Sequence, residues 1–189
     1  MEVVATELPE VLLIRPRLFQ DRRGHFLEIY QRDSYVESGV ADGFVQDNVS
    51  YSTQGVLRGL HYQLGQAQDK LVSVLNGRIF DVAVDLRRNS PRFGRWTSAV
   101  LSSDDYTQLY VPKGFAHGFC VLSETATVLY KCTDYYSPSQ ERGIRWDCPS
   151  LNIVWPVKEP IISDKDLALP VLEGIPPDDL PTALASSVS

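Results

Sequence analysis

The 189-residue sequence contains three histidines, His25, His61 and His117, and two of them sit in settings suited to chemistry. Imidazole, with an ordinary pKa of about 6.5, can take up or release a proton around neutrality. His61 lies in Gly55-Val-Leu-Arg-Gly-Leu-His-Tyr-Gln63, a strand-like run with a cation, Arg58, three residues before it. Strict alternation sends Arg58 and His61 to opposite faces, but Gly59 between them can mark a bulge that re-aims one of them. His117 lies in Pro112-Lys-Gly-Phe-Ala-His-Gly-Phe119, a Pro/Gly-rich turn feeding a strand, where the flanking glycines let backbone come close to a ligand. Spacing alone leaves a structural role equally open for both: a core histidine at 61, and a turn histidine bonded to a carbonyl at 117. His25, after Arg22-Arg23-Gly24, reads as an ordinary strand-entry residue.

Other side chains carry the same ambiguity. Tyr130, in Thr127-Val-Leu-Tyr-Lys131, shares a strand face with Val128 and Cys132, which fits a core tyrosine. Tyr135 and Tyr136 follow at once and can form an aromatic platform. Asp166, in Ile162-Ser-Asp-Lys-Asp-Leu167, belongs either to a solvated turn or to a carboxylate–imidazole pair that fixes one tautomer. Small β-barrels often hold iron or manganese through His-x-His, a carboxylate and a later His. Here His61 is followed by Tyr62 and Gln63, and no His-x-His occurs, so no metal is expected. Arg22-Arg23, Arg58, Lys70 and Arg87-Arg88 are candidates for binding a diphosphate through charge-assisted contacts.

The elements that must position these residues are short. Stretches of β-branched and aromatic residues alternate with Gly, Pro, Asn and Asp, the pattern of strands and tight turns, so an all-β domain is predicted. The clearest strand is Arg78–Leu86, with Phe80, Val82, Val84 and Leu86 on one face and Ile79, Asp81, Ala83 and Asp85 on the other. Asn76-Gly77 before it predicts a two-residue hairpin that makes Lys70 and Asp81 residues of neighbouring strands. Further strands are predicted at Val11–Ile14, His25–Tyr30, Phe44–Tyr51, Val56–Gln63, Thr97–Leu101, Leu109–Val111, Gly118–Val121 and Thr125–Thr133. A sandwich, jelly roll or barrel would accommodate so many. One helix is expected around Arg32–Ser38 and a short one after Asp166. Residues 1–170 form one domain in this reading, and 171–189, with Pro176-Pro177 and Pro181, form a partly mobile tail.

Bulk properties exclude whole classes. A net charge of −6 and a pI near 5.0 oppose attraction to nucleic acid. No apolar run approaches the roughly 18–20 residues of a membrane span, and the start Met1-Glu2 lacks a basic signal-peptide head, so a cytoplasmic protein with no membrane partner is expected. Cys120, Cys132 and Cys148 are odd in number and widely spaced, which points to reduced thiols.

Eight segments taken together resemble the dTDP-4-dehydrorhamnose 3,5-epimerase family. They are Asp21-Arg-Arg-Gly-His-Phe-Leu-Glu28, Gln46-Asp-Asn-Val-Ser50, Gly55–Gln63, Asp85-Leu-Arg, Ser90-Pro-Arg-Phe-Gly-Arg-Trp96, Val111–Phe119, Tyr130-Lys-Cys-Thr-Asp-Tyr-Tyr136 and Ser163-Asp-Lys-Asp166. The resemblance runs in order from about residue 10 to about residue 170. It implies a cupin-type jelly roll, a double-stranded β-barrel with a few short helices, usually a homodimer. It also implies an isomerase working without metal or organic cofactor, which inverts C3 and C5 of dTDP-4-dehydro-6-deoxy-D-glucose to give dTDP-4-dehydro-L-rhamnose. By the same resemblance His61 is the base, Asp166 its orienting partner, Tyr130 the acid on the opposite face of the ring, and Lys70 a neighbour of the keto oxygen. Arg23, Glu28, Gln46, Asp47, Asn48, Arg58, His117, Glu141 and Lys165 fall on positions that bind the nucleotide sugar, and Tyr136 on one that packs against it.

These residue types suit the chemistry. Removing hydrogen from carbon beside a ketone puts negative charge on oxygen, which a cation in a dry pocket stabilises, and inversion then needs an acid on the other face. One departure is Asp147-Cys-Pro, where family members often have Asn-Asp-Pro, which puts a turn in doubt. Three rivals remain at this point. They are an epimerase or keto-isomerase acting at one carbon, a barrel that binds a nucleotide sugar without converting it, and a metal-dependent dioxygenase.

Overall fold

In the computed structural model, residues 1–41 and 43–182 are described. The chain opens with β1 (Glu2–Ala5), β2 (Leu12–Arg15), β3 (Leu18–Asp21) and β4 (Gly24–Leu27), followed by helix α1 (Arg32–Glu37). Next come β5 (Gln46–Thr53), β6 (Leu57–Gln63), β7 (Lys70–Asn76), β8 (Arg78–Asp85), β9 (Trp96–Ser102), β10 (Gln108–Val111), β11 (Phe115–Val121), β12 (Thr125–Cys132), β13 (Glu141–Gly143) and helix α2 (Asp164–Leu167). Six strands form one sheet in the order β1-β2-β10-β7-β12-β5, five form a second in the order β13-β6-β11-β8-β9, and β3 and β4 form a separate hairpin. The predicted all-β jelly roll with short helices is what the strand order describes.

Alternation along the strands explains the layers. Val72, Val74, Leu109 and Val128 of the first sheet meet Ile79, Ala83, Phe119 and Val121 of the second in a closed core between them. The outer face of the five-stranded sheet is covered as well: Val82, Val84 and Leu86 pack with Ile144, Cys148, Leu151 and Ile175. Helix α1 covers the other sheet, burying Tyr35 against Ile14, Leu71 and Tyr110. Strand β8 therefore has no wet face, and Asp81 and Asp85, on its non-greasy side, are fully buried.

Three expectations are corrected. Asn76-Gly77 does not close a hairpin, because β7 pairs with β10 and β12 while β8 pairs with β11 and β9. Gly77, at φ +83°, carries the chain from one sheet to the other, and its neighbourhood is held by side chains: Gly77 N–H donates to Ser103 Oγ and Arg78 N–H to Ser123 Oγ. Lys70 and Asp81 thus lie on facing sheets. Second, β11 begins at Phe115, three residues before the predicted Gly118, so His117 is a strand residue and not a turn residue. Third, the chain does not leave the fold at residue 171. Leu172 N–H donates to Cys148 Sγ at 3.3 Å, Tyr62 OH to the Asp179 carbonyl at 2.8 Å, and Arg88 N–H to the Pro181 carbonyl at 2.9 Å. This segment stays because it shields the apolar outer face of β8. The last part of the expected mobile tail, 183–189, lies outside the described residues.

Smaller differences concern length. β1, β3 and β13 are strands of three or four residues without strong alternation, and the short C-terminal helix contains Asp166 instead of following it. Among the described residues no helix is long and apolar enough to cross a membrane.

Candidate active site

A cavity of about 330 Å³ opens between the two sheets. From the five-stranded sheet it receives Arg58 and His61 of β6, His117 of β11 and Glu141 of β13, and from the six-stranded sheet Ser50 of β5, Lys70 of β7 and Tyr130 of β12. Tyr136 of the following loop and Lys165 and Asp166 of α2 complete the wall. His61 and Tyr130 therefore reach one space from opposite sheets.

A bulge explains how Arg58 and His61 both reach it. His117 pairs with His61 and Phe119 with Arg58, so three steps along β6 match two along β11. Gly59 makes this possible: a Cβ there would stand 2.7 Å from Gly118 Cα and 2.7 Å from the His117 carbonyl oxygen, and its φ is +116°. Gly118 answers it from the other strand, since a Cβ there would be 2.5 Å from the Arg58 carbonyl oxygen.

Helix α2 brings the carboxylate. Ser163 caps it by accepting from Asp166 N–H, and Asp166, 4 % exposed, accepts from His61 Nε2 at 2.7 Å and from Gly59 N–H at 3.1 Å. Burial by itself raises the Asp166 pKa, but the His61 hydrogen bond and charge, Gly59 N–H and Lys165 outweigh it and hold the carboxyl below its ordinary value. An ionised Asp166 requires the hydrogen on His61 Nε2, so that in the neutral ring Nδ1 carries the lone pair, the form of a base.

Across the cavity, burial raises the Tyr130 pKa, with Cys132 adding and Arg58 opposing, so the phenol keeps its hydrogen at neutral pH. Burial pushes the Lys70 ammonium down, while Cys132, Asp81 and Glu141 support its charge. At the rim Tyr136 OH donates to Glu141 Oε2 at 2.7 Å and Lys165 Nζ donates to the same oxygen. That hydrogen bond raises the Tyr136 pKa, and Lys165 and Tyr136 together, against burial, lower that of Glu141.

Several expected binding residues stand outside this cavity. Gln46 borders it, its Oε1 accepting from Tyr136 N–H at 2.9 Å, and Asn48 lies beside it, accepting from Gln46 Nε2. Asp47 points the other way and pairs with Lys131 at 2.8 Å. Arg23 sits in the β3–β4 turn paired with Asp21, and Glu28 is exposed just beyond β4. His25 meets Tyr106 OH at 3.0 Å, also away from the cavity.

Sequence reasoning missed Ser50, Gly118, Phe119 and Ser163 as lining residues. Ser50 was legible as the next inward position after Gln46 and Asn48 on β5, and Ser163 as a cap three residues before Asp166. A larger cavity of about 540 Å³ lies between Glu10, Asp69, Arg87 and Lys113. It contains no imidazole or phenol, and Arg87 is already committed to Asp85 and Glu10. Among the described residues no group of three or more His, Cys, Asp or Glu side chains is arranged to hold a metal ion.

Comparison with known proteins gives a consistent picture. The profile of the dTDP-4-dehydrorhamnose 3,5-epimerase family matches residues 5–174. The chain is 53% identical over 169 residues to the dTDP-4-dehydrorhamnose 3,5-epimerase of Shigella flexneri, covering 88% of this chain and 93% of that one. Its structure is similar, with a TM-score of 0.95 and 48% identity, to the 3,5-epimerase of Legionella pneumophila Philadelphia 1 in complex with dTDP-4-keto-L-rhamnose, over 97% of this chain and 99% of that one. It is also similar, at a TM-score of 0.89 and 32% identity over 94% and 92% of the two chains, to a 3'-monoepimerase from Streptomyces bikiniensis in complex with dTDP-quinovose.

Proposed function

The chain belongs to the dTDP-4-dehydrorhamnose 3,5-epimerase family, and from that premise we propose how its residues divide the work of the reaction. It is an isomerase that inverts C3 and C5 of dTDP-4-dehydro-6-deoxy-D-glucose to give dTDP-4-dehydro-L-rhamnose. His61 is the base: Nδ1 takes the hydrogen from the carbon beside the ketone, with Asp166 holding the ring through Nε2. Lys70 meets the negative charge that develops on the keto oxygen. Tyr130 returns hydrogen to the opposite face of the sugar, and the same sequence at the second carbon completes the inversion. Arg58, His117, Tyr136, Glu141 and Lys165 hold the nucleotide sugar. The observation that carries this reading is that His61, which among the described residues has a partner on one nitrogen only, and Tyr130 enter one cavity from opposite sheets.

The nucleotide sugar is the only partner assigned to that cavity. For the assembly, a cytoplasmic homodimer is our reading. The β3–β4 hairpin carries Arg23 and Glu28 away from the chain's own cavity and leaves Phe19 and Phe26 50 % and 69 % exposed, which suits a contact with a second copy. Sedimentation of the purified protein should give twice the chain mass, and a monomer at micromolar concentration would refute it.

The test of the reaction is incubation with the 4-keto sugar nucleotide in heavy water, followed by a reductase and NADPH. The expected product is the rhamnose-configured deoxysugar with deuterium at both C3 and C5. Deuterium at C3 alone would identify a single-carbon epimerase.

A further inference from the structure

Two carboxylate–imidazole pairs meet this cavity from adjacent strands. His61 and His117 are direct cross-strand partners, His61 Nε2 is 2.7 Å from Asp166 Oδ1, and His117 Nε2 is 2.7 Å from Asp81 Oδ1. The pairs differ in what else each carboxylate holds. Asp166 has a second donor, Gly59 N–H, and Lys165 nearby. Asp81 is fully buried beside Ile79, Ala83 and Phe119, and among the described residues its Oδ2 has no hydrogen-bond partner.

We propose that Asp81 is a positioning residue for the epimerase reaction: by holding His117 through Nε2 it leaves Nδ1 bearing a hydrogen toward the cavity, so that His117 donates to an oxygen of the bound sugar while His61 accepts. The inference deepens the assignment of His61 as base, and it rests on that assignment for the contrast between the two rings.

A carboxylate with a single donor, in an apolar layer, is costly unless the group it touches balances it. The pair is neutral in two ways: an imidazolium beside a carboxylate, or a neutral ring whose Nε2 accepts from a carboxylic acid. In both, Nδ1 carries a hydrogen. The third arrangement, a neutral ring with its hydrogen on Nε2, leaves a net negative charge in the core. The other charged groups around the cavity offset it only in part. Lys70 feels the field of Asp81, but no hydrogen bond joins them; Arg58 donates to Ser52, and Glu141 is occupied by Tyr136 and Lys165. Nδ1 of His117 meets no partner among the described residues, and the ring lines the cavity, so that nitrogen is the one available to a ligand. Two like dyads thus serve opposite purposes, set by how many donors reach each carboxylate.

The experiment is nitrogen NMR of the full chain labelled with 15N-histidine, without ligand at neutral pH, with His61→Gln and His117→Gln used to assign the rings. The expected result is a hydrogen-bearing, pyrrole-type Nδ1 for His117 and a pyridine-type Nδ1 for His61; a pyridine-type Nδ1 at His117 overturns the proposal. A kinetic arm uses Asp81→Leu, which can neither donate to nor accept from His117 Nε2, checked for native circular dichroism. It should lower kcat about tenfold or more, and the double variant with His117→Gln should be no worse than the poorer single. Additive losses would mean that Asp81 does not act through His117. If instead His61→Gln kept full activity, the assignment of the base would fall while the His117 resonance still reported on Asp81.

Discussion

Replacing Asp166 by Asn tests the dyad without changing its size. The wild-type carboxylate accepts from His61 Nε2 at 2.7 Å and from Gly59 N–H at 3.1 Å, and is 4 % exposed. An Asn oxygen can still take the Gly59 hydrogen, but the bond to His61 loses its charge. Charge-assisted bonds contribute about 1.5–3 kcal/mol, and a neutral one about 1 kcal/mol. The amide can also turn its NH₂ to Nε2, which would put the ring hydrogen on Nδ1 and remove the lone pair that acts as base. At about 1.4 kcal/mol per factor of ten, the weakened bond alone lowers kcat roughly tenfold, and the tautomer change brings the loss to about 10²–10³-fold. Affinity for dTDP should change little, because the carboxylate is committed to His61 and Gly59. The assay is kcat from coupled reduction, with dTDP binding by calorimetry in parallel. A variant within threefold of wild-type kcat would refute the reasoning that Asp166 directs His61.

Two further predictions concern the frame around the site. Gly59→Ala forces a Cβ against Gly118 Cα and the His117 carbonyl at a positive φ, so unfolding free energy should fall by roughly 2–5 kcal/mol from strain and overpacking combined; a urea midpoint equal to wild type would show that the strands separate easily. Asp85 is fully buried and accepts from Arg87 N–H, Nε and Nη2 and from Ser90 OH; burial raises its pKa, but these bonds outweigh it and hold the value below the ordinary one. A depressed folded pKa means that its stabilisation is complete above the unfolded value of about 3.9 and is lost as pH falls through the folded value. Asp85→Asn should therefore cost about 3 kcal/mol at pH 7, and the gap from wild type should narrow below about pH 4; a gap that stays constant down to pH 2 would contradict the ion pair.

The strands were legible because their alternation is local. Phe80, Val82 and Val84 against Ile79, Asp81 and Ala83 define β8 without any tertiary information. What decides which sheet a strand joins is not local: Asn76-Gly77 looks the same in a hairpin as in the arch it forms, and only Ser103 and Ser123, distant in sequence, distinguish them. His117 was misplaced into a turn for a related reason, since Gly118 serves close packing against β6 and not a bend. Spacing identified Gly59 as the point where alternation breaks, which brought Arg58 and His61 together. The carboxylates were beyond spacing, because Asp166 lies 105 residues from His61 and Asp81 lies 36 from His117. The local sequence left Asp166 open as an imidazole partner and family resemblance joined it to His61, whereas nothing in the sequence joined Asp81 to His117.

In the proposed mechanism, hydrogen leaves the sugar toward His61 and returns from Tyr130 on the other side. The direct measurement follows substrate in heavy water with Tyr130→Phe, which keeps the ring and removes the acid. His61, whose side chain is 28% exposed, can still take a hydrogen and exchange it with solvent. The starting sugar should therefore gain deuterium with its configuration retained, while the inverted product falls by about 10²-fold or more. Inverted product forming at the wild-type rate would contradict the two-sided mechanism.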